Sequence, residues 1–180
     1  MNHFARAAEL KQLVDDFTKK YSTDGVEQYN GDELTPEVLA SALGGVSLFA
    51  QNRMVIIRGI ASAKDLHEQL IKGLDSVGDD LSLVLIEPQL DKRTALYKVL
   101  HKQTEFKEFN EPSEQELQQW VSDRTKALGG NISNADARTL VQYCGTDQTR
   151  LSNELEKLVA YDPNISADSI AQLVEPNPAD

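Results

Sequence analysis

The chain has little of what several classes of protein depend on. Among its 180 residues there is one cysteine, Cys144, so no internal disulfide can form, which fits a reducing, cytoplasmic setting. No apolar run approaches the ~20 residues that a membrane-spanning helix needs, and the residues after Met1 lack the apolar core of a signal peptide. These absences favour a globular, cytoplasmic protein.

Positive charge is also scarce, with 18 Lys and Arg against 29 Asp and Glu and a net charge of −11. Lys and Arg supply most of the affinity for a nucleic-acid backbone, so we do not expect this chain to bind DNA by charge alone. One stretch is locally basic. We interpret it as a solvated helix face, with a phosphate contact by Lys92, Arg93 and Lys98 as the alternative.

The motifs of nucleotide hydrolysis are missing from the sequence. A phosphate-binding loop requires GxxxxGK[ST], and neither double glycine, Gly44-Gly45 or Gly129-Gly130, is followed by Lys-Ser or Lys-Thr. Magnesium would require a carboxylate at the end of a core strand. Glu87 follows one such strand, but Pro88 comes next and no second carboxylate is adjacent. We therefore predict no cofactor.

Other catalytic and metal-binding patterns are equally absent. His3, His67 and His101 are far apart in sequence and show no ligand spacing, so we predict no metal site. Cys144 falls on an apolar helix face, which favours burial over nucleophilic chemistry. Trp120 is predicted to lie in a helical core. We predict no catalytic residue.

Residues 1–110 alternate between helix and strand patterns, which favours an α/β domain with a parallel sheet. The run Leu81–Ile86 is almost continuously apolar, as in strands that are covered on both faces. The pattern predicts helices over residues 4–21, 36–43, 63–74 and 91–103, with Thr35 and Asp91 as N-caps, and strands over 26–29, 54–58, 81–86 and 106–109.

After residue 110 only helices are readable, so residues 111–175 are predicted to form a small all-helical domain, followed by a frayed tail at 176–180. Ser113 and Glu116 have the spacing of a capping box, and Ser133 and Ser166 are favourable N-caps. The predicted helices cover residues 113–128, 133–143, 147–160 and 166–173.

The stretch GGVSLFAQ, before the second strand, holds an aromatic-aliphatic pair, Leu48 and Phe49, on a loop. From the residues alone this pair could complete a core or face outward. If exposed, it would form a compact binding site, since one Phe and one Leu can dominate a small interface.

Three segments resemble the delta subunit of the bacterial DNA polymerase III clamp loader. They are SLFAQNRMVIIRG, LVLIEPQLDKRTALYKVLHK and the helical segment from Glu111 to Tyr161, in the family's order over nearly the whole chain. The resemblance implies a fold like that of the AAA+ (P-loop NTPase-like) ATPases, with a helical lid, in a protein that has lost ATP hydrolysis.

The resemblance also implies a role and a site. Delta subunits bind the ring-shaped beta sliding clamp and open one interface, so that the ring can be placed on primed DNA during replication. The family's clamp contact corresponds here to Leu48 and Phe49, supported by Val46 and Ser47. The implied partners also include the other clamp-loader subunits, and DNA is contacted only within the complex. Any polymerase activity belongs to the assembly.

The chain departs from the family in two places. It has neither the apolar strand that precedes the first helix nor the C-terminal collar domain, so we expect a truncated delta subunit in which backbone beside Leu81–Ile86 is unpaired. Two other functions stay open: a divergent nucleotide hydrolase that uses Glu87, and a standalone protein-interaction module.

Overall fold

The computed structural model describes residues 2–44 and 52–177, which fall into two compact units. One unit is Arg6–Glu108, and the other combines Met1–Ala5 with Phe109–Asp180. The first unit is α/β. Its elements are α1 (His3–Lys20, from Arg6 onward), β1 (Val26–Asn30), α2 (Pro36–Gly44), β2 (Arg53–Arg58), α3 (His67–Leu74), β3 (Leu81–Ile86) and α4 (Ala95–Gln103).

The sheet of this unit contains three parallel strands in the order β1-β2-β3. Val26 pairs with Met54, and Arg53 pairs with Leu81. Helices α2 and α3 connect the successive strands, because parallel neighbours require a crossover. The predicted parallel α/β arrangement is therefore confirmed.

Both faces of the sheet are covered. Residues Val55 and Ile57 of β2 face one core, whereas Met54 and Ile56 face a second core that includes Phe17 of α1. β3 contributes to both in the same alternation, as its apolar run predicted. The first core also contains Leu39, Ala42, Leu43, Ile60, Leu66, Leu70, Leu96 and Leu100.

Three details of the α/β prediction are wrong. Residues 106–109 form no strand: this stretch is rich in charged side chains, and only Phe106 packs against the first core. The N-cap of α4 is Thr94 rather than Asp91, because the Thr94 hydroxyl accepts the Tyr97 amide. Residues 60–66 form two 3-10 turns, so α3 begins only at His67.

The second unit contains α5 (Glu114–Ala127), α6 (Asn134–Cys144), α7 (Gln148–Tyr161) and α8 (Ala167–Leu173). The capping box of Ser113 and Glu116 is present, and Ser133 and Ser166 cap α6 and α8. All four predicted helices are thus found. In the described part of the chain, no helix combines the length and hydropathy needed to cross a bilayer.

The helical unit also contains a two-strand element that the pattern did not predict. β4 (Asn131–Ile132) pairs in parallel with β5 (Asn164–Ile165), and the Asn131 amide donates to the Pro163 carbonyl at 2.7 Å. Two-residue strands are too short to show an alternating pattern. The core around them is formed by Leu117, Val121, Ala137, Leu140, Val141, Cys144, Leu151, Leu155, Leu158, Ile165, Ile170 and Val174.

Candidate partner-binding site

The predicted contact residues Val46, Ser47, Leu48 and Phe49 lie outside the described residues, so their role stays a prediction. The structure does describe both flanks of this segment. Gly44 ends α2 on one side, and Arg53 begins β2 on the other.

The first flank is held by the apolar face of α2. Leu39, Ala42 and Leu43 are buried in the α/β core. Leu43 lies directly on α3, where a Cβ added to Gly73 would approach its Cδ1 to 2.5 Å. Gly73 has no side chain and therefore provides room for Leu43. The last turn of α2 thus packs closely against α3.

The second flank is held by a cluster of three polar side chains, Glu27, Tyr29 and Arg53, which we call the Arg53 cluster. The Arg53 guanidinium donates from Nε to Glu27 Oε1 at 2.8 Å and from Nη2 to Glu27 Oε2 at 3.1 Å. The Tyr29 hydroxyl donates to the same Oε2 at 2.7 Å. Two parallel bonds between a guanidinium and a carboxylate fix orientation as well as distance.

The electrostatics of the Arg53 cluster favour the charged forms of both partners. Hydrogen bonding from Arg53, aided by Tyr29, lowers the pKa of Glu27 below its ordinary value although burial opposes this. The Glu27 carboxylate in turn raises the pKa of Arg53, and burial raises the pKa of Tyr29. Arg53 is only 7% exposed, so its charge depends on this partner.

Glu87 lies at the end of β3, where the alternative hydrolase function requires it. Its Oε2 accepts the Ala61 amide at 3.2 Å, while Oε1 is buried without a hydrogen-bond partner. Burial raises the pKa of Glu87. The carboxylate thus holds the 3-10 turn that follows β2. Across the described ranges no group of three or more His, Cys, Asp and Glu is placed to hold a metal ion.

Two of the three residues considered for DNA contact are paired with carboxylates. Lys92 Nζ lies 2.9 Å from Glu108 Oε1, and the Arg93 guanidinium lies 2.8 Å from Asp91 Oδ2. Both cations precede α4, whereas Lys98 lies on that helix. The ion pairs reduce the positive potential that a phosphate would meet.

The remaining candidate residues are dispersed. His67 lies within the α/β unit, with Nε2 3.1 Å from the Ala61 carbonyl oxygen, and His101 packs beside the rings of Tyr97 and Phe106. Cys144 is buried, and burial raises its pKa to about 11, as expected for an unreactive thiol. Trp120 packs against the helical core, as predicted.

The Arg53 cluster was missed by the sequence reasoning. The signal lay in an arginine directly before an apolar strand, together with Glu27 and Tyr29 on alternate positions of the preceding strand. Alternation places those two side chains on one face. Only the register of β1 against β2 shows that Arg53 lies on the same face of the sheet as Glu27 and Tyr29.

Comparison with known proteins identifies the family. A family model described as DNA polymerase III, delta subunit, matches residues 7–110, more than half of the chain. The chain belongs to the DNA polymerase III delta subunit family. A second model, described as a middle domain, matches residues 113–172 of the helical unit.

The delta family relatives are longer than this chain. The probable DNA polymerase III subunit delta of Aquifex aeolicus is 26% identical over 173 residues, which cover 88% of this chain and 49% of that protein. The solved Bacillus subtilis DNA clamp loader delta protein (YqeN) has a TM-score of 0.66 at 19% identity, covering 93% and 55% of the two chains. The chain therefore spans about half the length of these relatives.

The fold extends beyond the delta family. The Holliday junction branch migration motor RuvB of Thermotoga maritima superposes with a TM-score of 0.51 at 14% identity, over 83% of this chain and 52% of RuvB. At this identity the likeness concerns fold alone. It supports an AAA+-like α/β domain followed by helices, as the resemblance implied.

Proposed function

We propose that this delta family chain binds the beta sliding clamp and opens it for loading onto primed DNA during replication. The observation that carries the proposal is the match of the delta subunit model to residues 7–110, a range that includes the segment from Val46 to Phe49. Because the chain spans about half of its relatives, this role is a proposal for the residues present here.

The proposed mechanism involves no chemical step. Leu48 and Phe49 insert into an apolar pocket on the clamp, supported by Val46 and Ser47. Burying one Leu and one Phe contributes roughly 1.5–3 kcal/mol for each side chain. If the pocket is more accessible in the open ring, binding shifts the clamp toward that conformer, because a ligand favours the state that it binds more tightly.

We propose further that the chain is non-catalytic and that ATP is bound by other clamp-loader subunits. The sequence has no GxxxxGK[ST] loop, and one oxygen of the Glu87 carboxylate, Oε2, already accepts the Ala61 amide in the turn after β2. A divergent nucleotide hydrolase remains the second candidate, because Glu87 Oε1 is buried without a partner at the end of a strand. Stoichiometric binding of Mg-ATP in calorimetry, lost in Glu87→Gln, would favour that candidate.

The proposed partners are the clamp and the other loader subunits, in the cytoplasm, with DNA contacted only within the complex. Lys92, Arg93 and Lys98 are the proposed DNA contacts of this chain. Lys92 and Arg93 would first have to exchange their carboxylate partners for phosphate. We therefore expect the isolated chain to show little affinity for DNA at physiological salt.

Surface plasmon resonance against immobilised beta clamp tests the proposal. We expect the parent chain to bind and a Leu48→Ala/Phe49→Ala variant to lose about 2 kcal/mol or more of binding free energy, as at an interface hot spot. The matched control is Leu13→Ala/Tyr161→Ala, which removes two exposed apolar side chains elsewhere and should bind normally.

Circular dichroism shows whether a loss of binding reflects a lost contact or an unfolded chain. If the parent is folded but does not bind, the proposed partner is wrong and a standalone interaction module becomes the better reading. If the Leu48→Ala/Phe49→Ala variant unfolds while the control stays folded, the two side chains belong to the core and not to an interface.

A further inference from the structure

We propose that Asn30 is a deamidation site whose reaction is held back by the folded end of β1 and proceeds when that end opens. Asn30 and Gly31 form the one Asn-Gly pair in the sequence. Glycine has no Cβ to hinder attack by its own amide nitrogen, so an asparagine that precedes glycine is the kind most prone to deamidation. The inference concerns the stability of the α/β unit and does not depend on the proposed function.

The reaction needs no reactant other than water. The backbone nitrogen of Gly31 attacks the side-chain carbon Cγ of Asn30, and a C–N bond forms between them. The bond from Cγ to Nδ2 breaks, and ammonia leaves with the proton that the Gly31 nitrogen gives up. Water then opens the five-membered succinimide ring at either carbonyl. One product has an aspartate at position 30, and the other has an isoaspartate, which adds one carbon to the backbone.

Three features of the folded strand end oppose this attack. The Gly31 amide, which is the nucleophile, donates to the Arg58 carbonyl at 2.7 Å. Asn30 is the last residue of β1, and in extended backbone the nitrogen of the next residue is rotated away from Cβ. Asn30 Nδ2 donates to Glu33 Oε2 at 3.1 Å, which holds the side chain in the turn that follows the strand.

A small opening removes all three restraints. The Asn30 side chain is already exposed to water, and Asn30 pairs with Arg58 at the end of the β1–β2 ladder. Reaction therefore requires the loss of the last bond of the ladder and of one turn, and not the unfolding of the whole unit. Strand ends open at a lower free-energy cost than strand centres, so this opening is the cheapest route to the reaction.

The isoaspartate product would not fit the closed strand end. Gly31 lies so close to the backbone of Gly59 and Ile60 that an added Cβ would approach both to 2.6 Å. One more backbone carbon at position 30 moves Gly31 out of its register with Arg58, at a crossing with no room for another atom. The modification thus makes a transient opening permanent.

Peptide mapping by mass spectrometry tests the site in the full chain, incubated at mildly alkaline pH either folded or in guanidinium chloride. We expect Asn30 to convert at least about tenfold faster in the denatured chain than in the folded one. Asn131 and Asn164 are internal controls, because each precedes an isoleucine whose branched side chain hinders attack. Equal rates in the two states, or no preference for Asn30 over these controls in the denatured chain, would overturn the inference.

Two conservative variants locate the opening. Ile57→Val loosens β2 opposite Tyr29, and Ile170→Val makes the same change in the helical unit; both positions are fully buried. We expect Ile57→Val to convert Asn30 about two- to tenfold faster than the parent in the folded state, and Ile170→Val to leave the rate unchanged. If both variants accelerate conversion equally, the reaction follows general unfolding and the inference is wrong.

The one-way step has its own control in Asn30→Asp, which introduces the charge without the extra backbone carbon. The isoaspartate form, separated from the parent by ion exchange, should unfold at a lower urea concentration than Asn30→Asp. Equal midpoints would show that the strand end closes over the modified residue, and the permanence of the opening would be disproved.

Discussion

Gly31 lies directly against the backbone of Gly59. A Cβ added at Gly31 would come within 2.6 Å of the Gly59 carbonyl oxygen and equally close to Ile60. The Gly31 amide donates to the Arg58 carbonyl at 2.7 Å. The chain leaving β1 thus crosses the end of β2 at a distance that only glycine permits.

We predict that Gly31→Ala destabilises the protein by about 2–3 kcal/mol, because the colliding atoms are backbone and not the flexible end of a side chain. Urea unfolding followed by circular dichroism measures the change. Gly44→Ala is the matched control: an added Cβ there meets nothing within 4 Å, so no loss is expected. Equal effects of the two variants would show that Gly31 lies farther from the backbone of Gly59 and Ile60 than the structure indicates.

The stability conferred by the Glu27–Arg53 pair should depend on pH. The folded-state pKa of Glu27 is lowered from its ordinary 4.5, chiefly by hydrogen bonding from Arg53. A group whose pKa is lowered on folding contributes stability above its unfolded pKa and loses it as pH falls through the folded value. The contribution is therefore complete at pH 7 and declines below about pH 4.5.

Glu27→Gln isolates this contribution. We predict that Glu27→Gln lowers the free energy of unfolding by roughly 2 kcal/mol at pH 7, in the range for hydrogen bonds to charged groups. The difference in unfolding free energy between parent and variant should shrink between pH 5 and pH 3. Urea titrations at several pH values measure it. Glu68→Gln serves as the control, since its ion pair with Lys72 is exposed to solvent and should add little to the free energy of unfolding. If the stability difference between Glu27→Gln and the parent did not change with pH, the Glu27–Arg53 pair would not be the source of the pH dependence.

The elements of the fold that could be predicted were those with long patterns of apolar residues in the sequence. The helices of the second unit have clear periodicity, strands β2 and β3 are nearly continuous apolar runs, and all of them were found. The predicted strand at 106–109 failed because two aromatic residues around Lys107 and Glu108 give no sustained alternation over four positions. Strands β4 and β5 were missed because two residues carry no period.

The candidate site divides in the same way. The resemblance predicts Leu48 and Phe49 as contact residues, which stays a prediction, and the sequence contains no GxxxxGK[ST] motif. The Arg53 cluster could not be predicted, because Glu27 and Arg53 are 26 positions apart and meet only through the register of two strands. Pairing across a sheet depends on tertiary structure, which local periodicity does not encode.

The capping box at the start of α5 offers a separate test in the helical unit. The Ser113 side chain accepts the Glu116 amide at 3.3 Å, while Glu116 Oε2 accepts the Ser113 amide at 2.7 Å. We predict that Ser113→Ala costs about 1 kcal/mol in thermal or urea unfolding. Ser122→Ala, within the same helix, removes only a bond to the Gln118 carbonyl and should change stability by less than about 0.5 kcal/mol. Comparable losses in both would argue against the cap.

The outer edge of β3 provides the last prediction. Arg53 donates to the Asp80 carbonyl and Gly59 to the Ile86 carbonyl, so even-numbered residues of this strand bond toward β2. The N–H and C=O groups of Leu83 and Leu85 therefore point away from β2, and within the described sheet no strand pairs with them. An apolar strand with such an edge is prone to pairing with another chain.

We predict that Ser82→Lys slows aggregation on heating, because a charge on an exposed edge position opposes pairing between chains. Ser76→Lys is the matched control: it makes the same change in net charge, from −11 to −10, at an exposed site outside the strand. Light scattering at several protein concentrations measures the rate. Lower net charge alone favours association, so Ser76→Lys should aggregate as fast as the parent or faster. If Ser82→Lys behaves like Ser76→Lys, aggregation starts elsewhere than at the β3 edge.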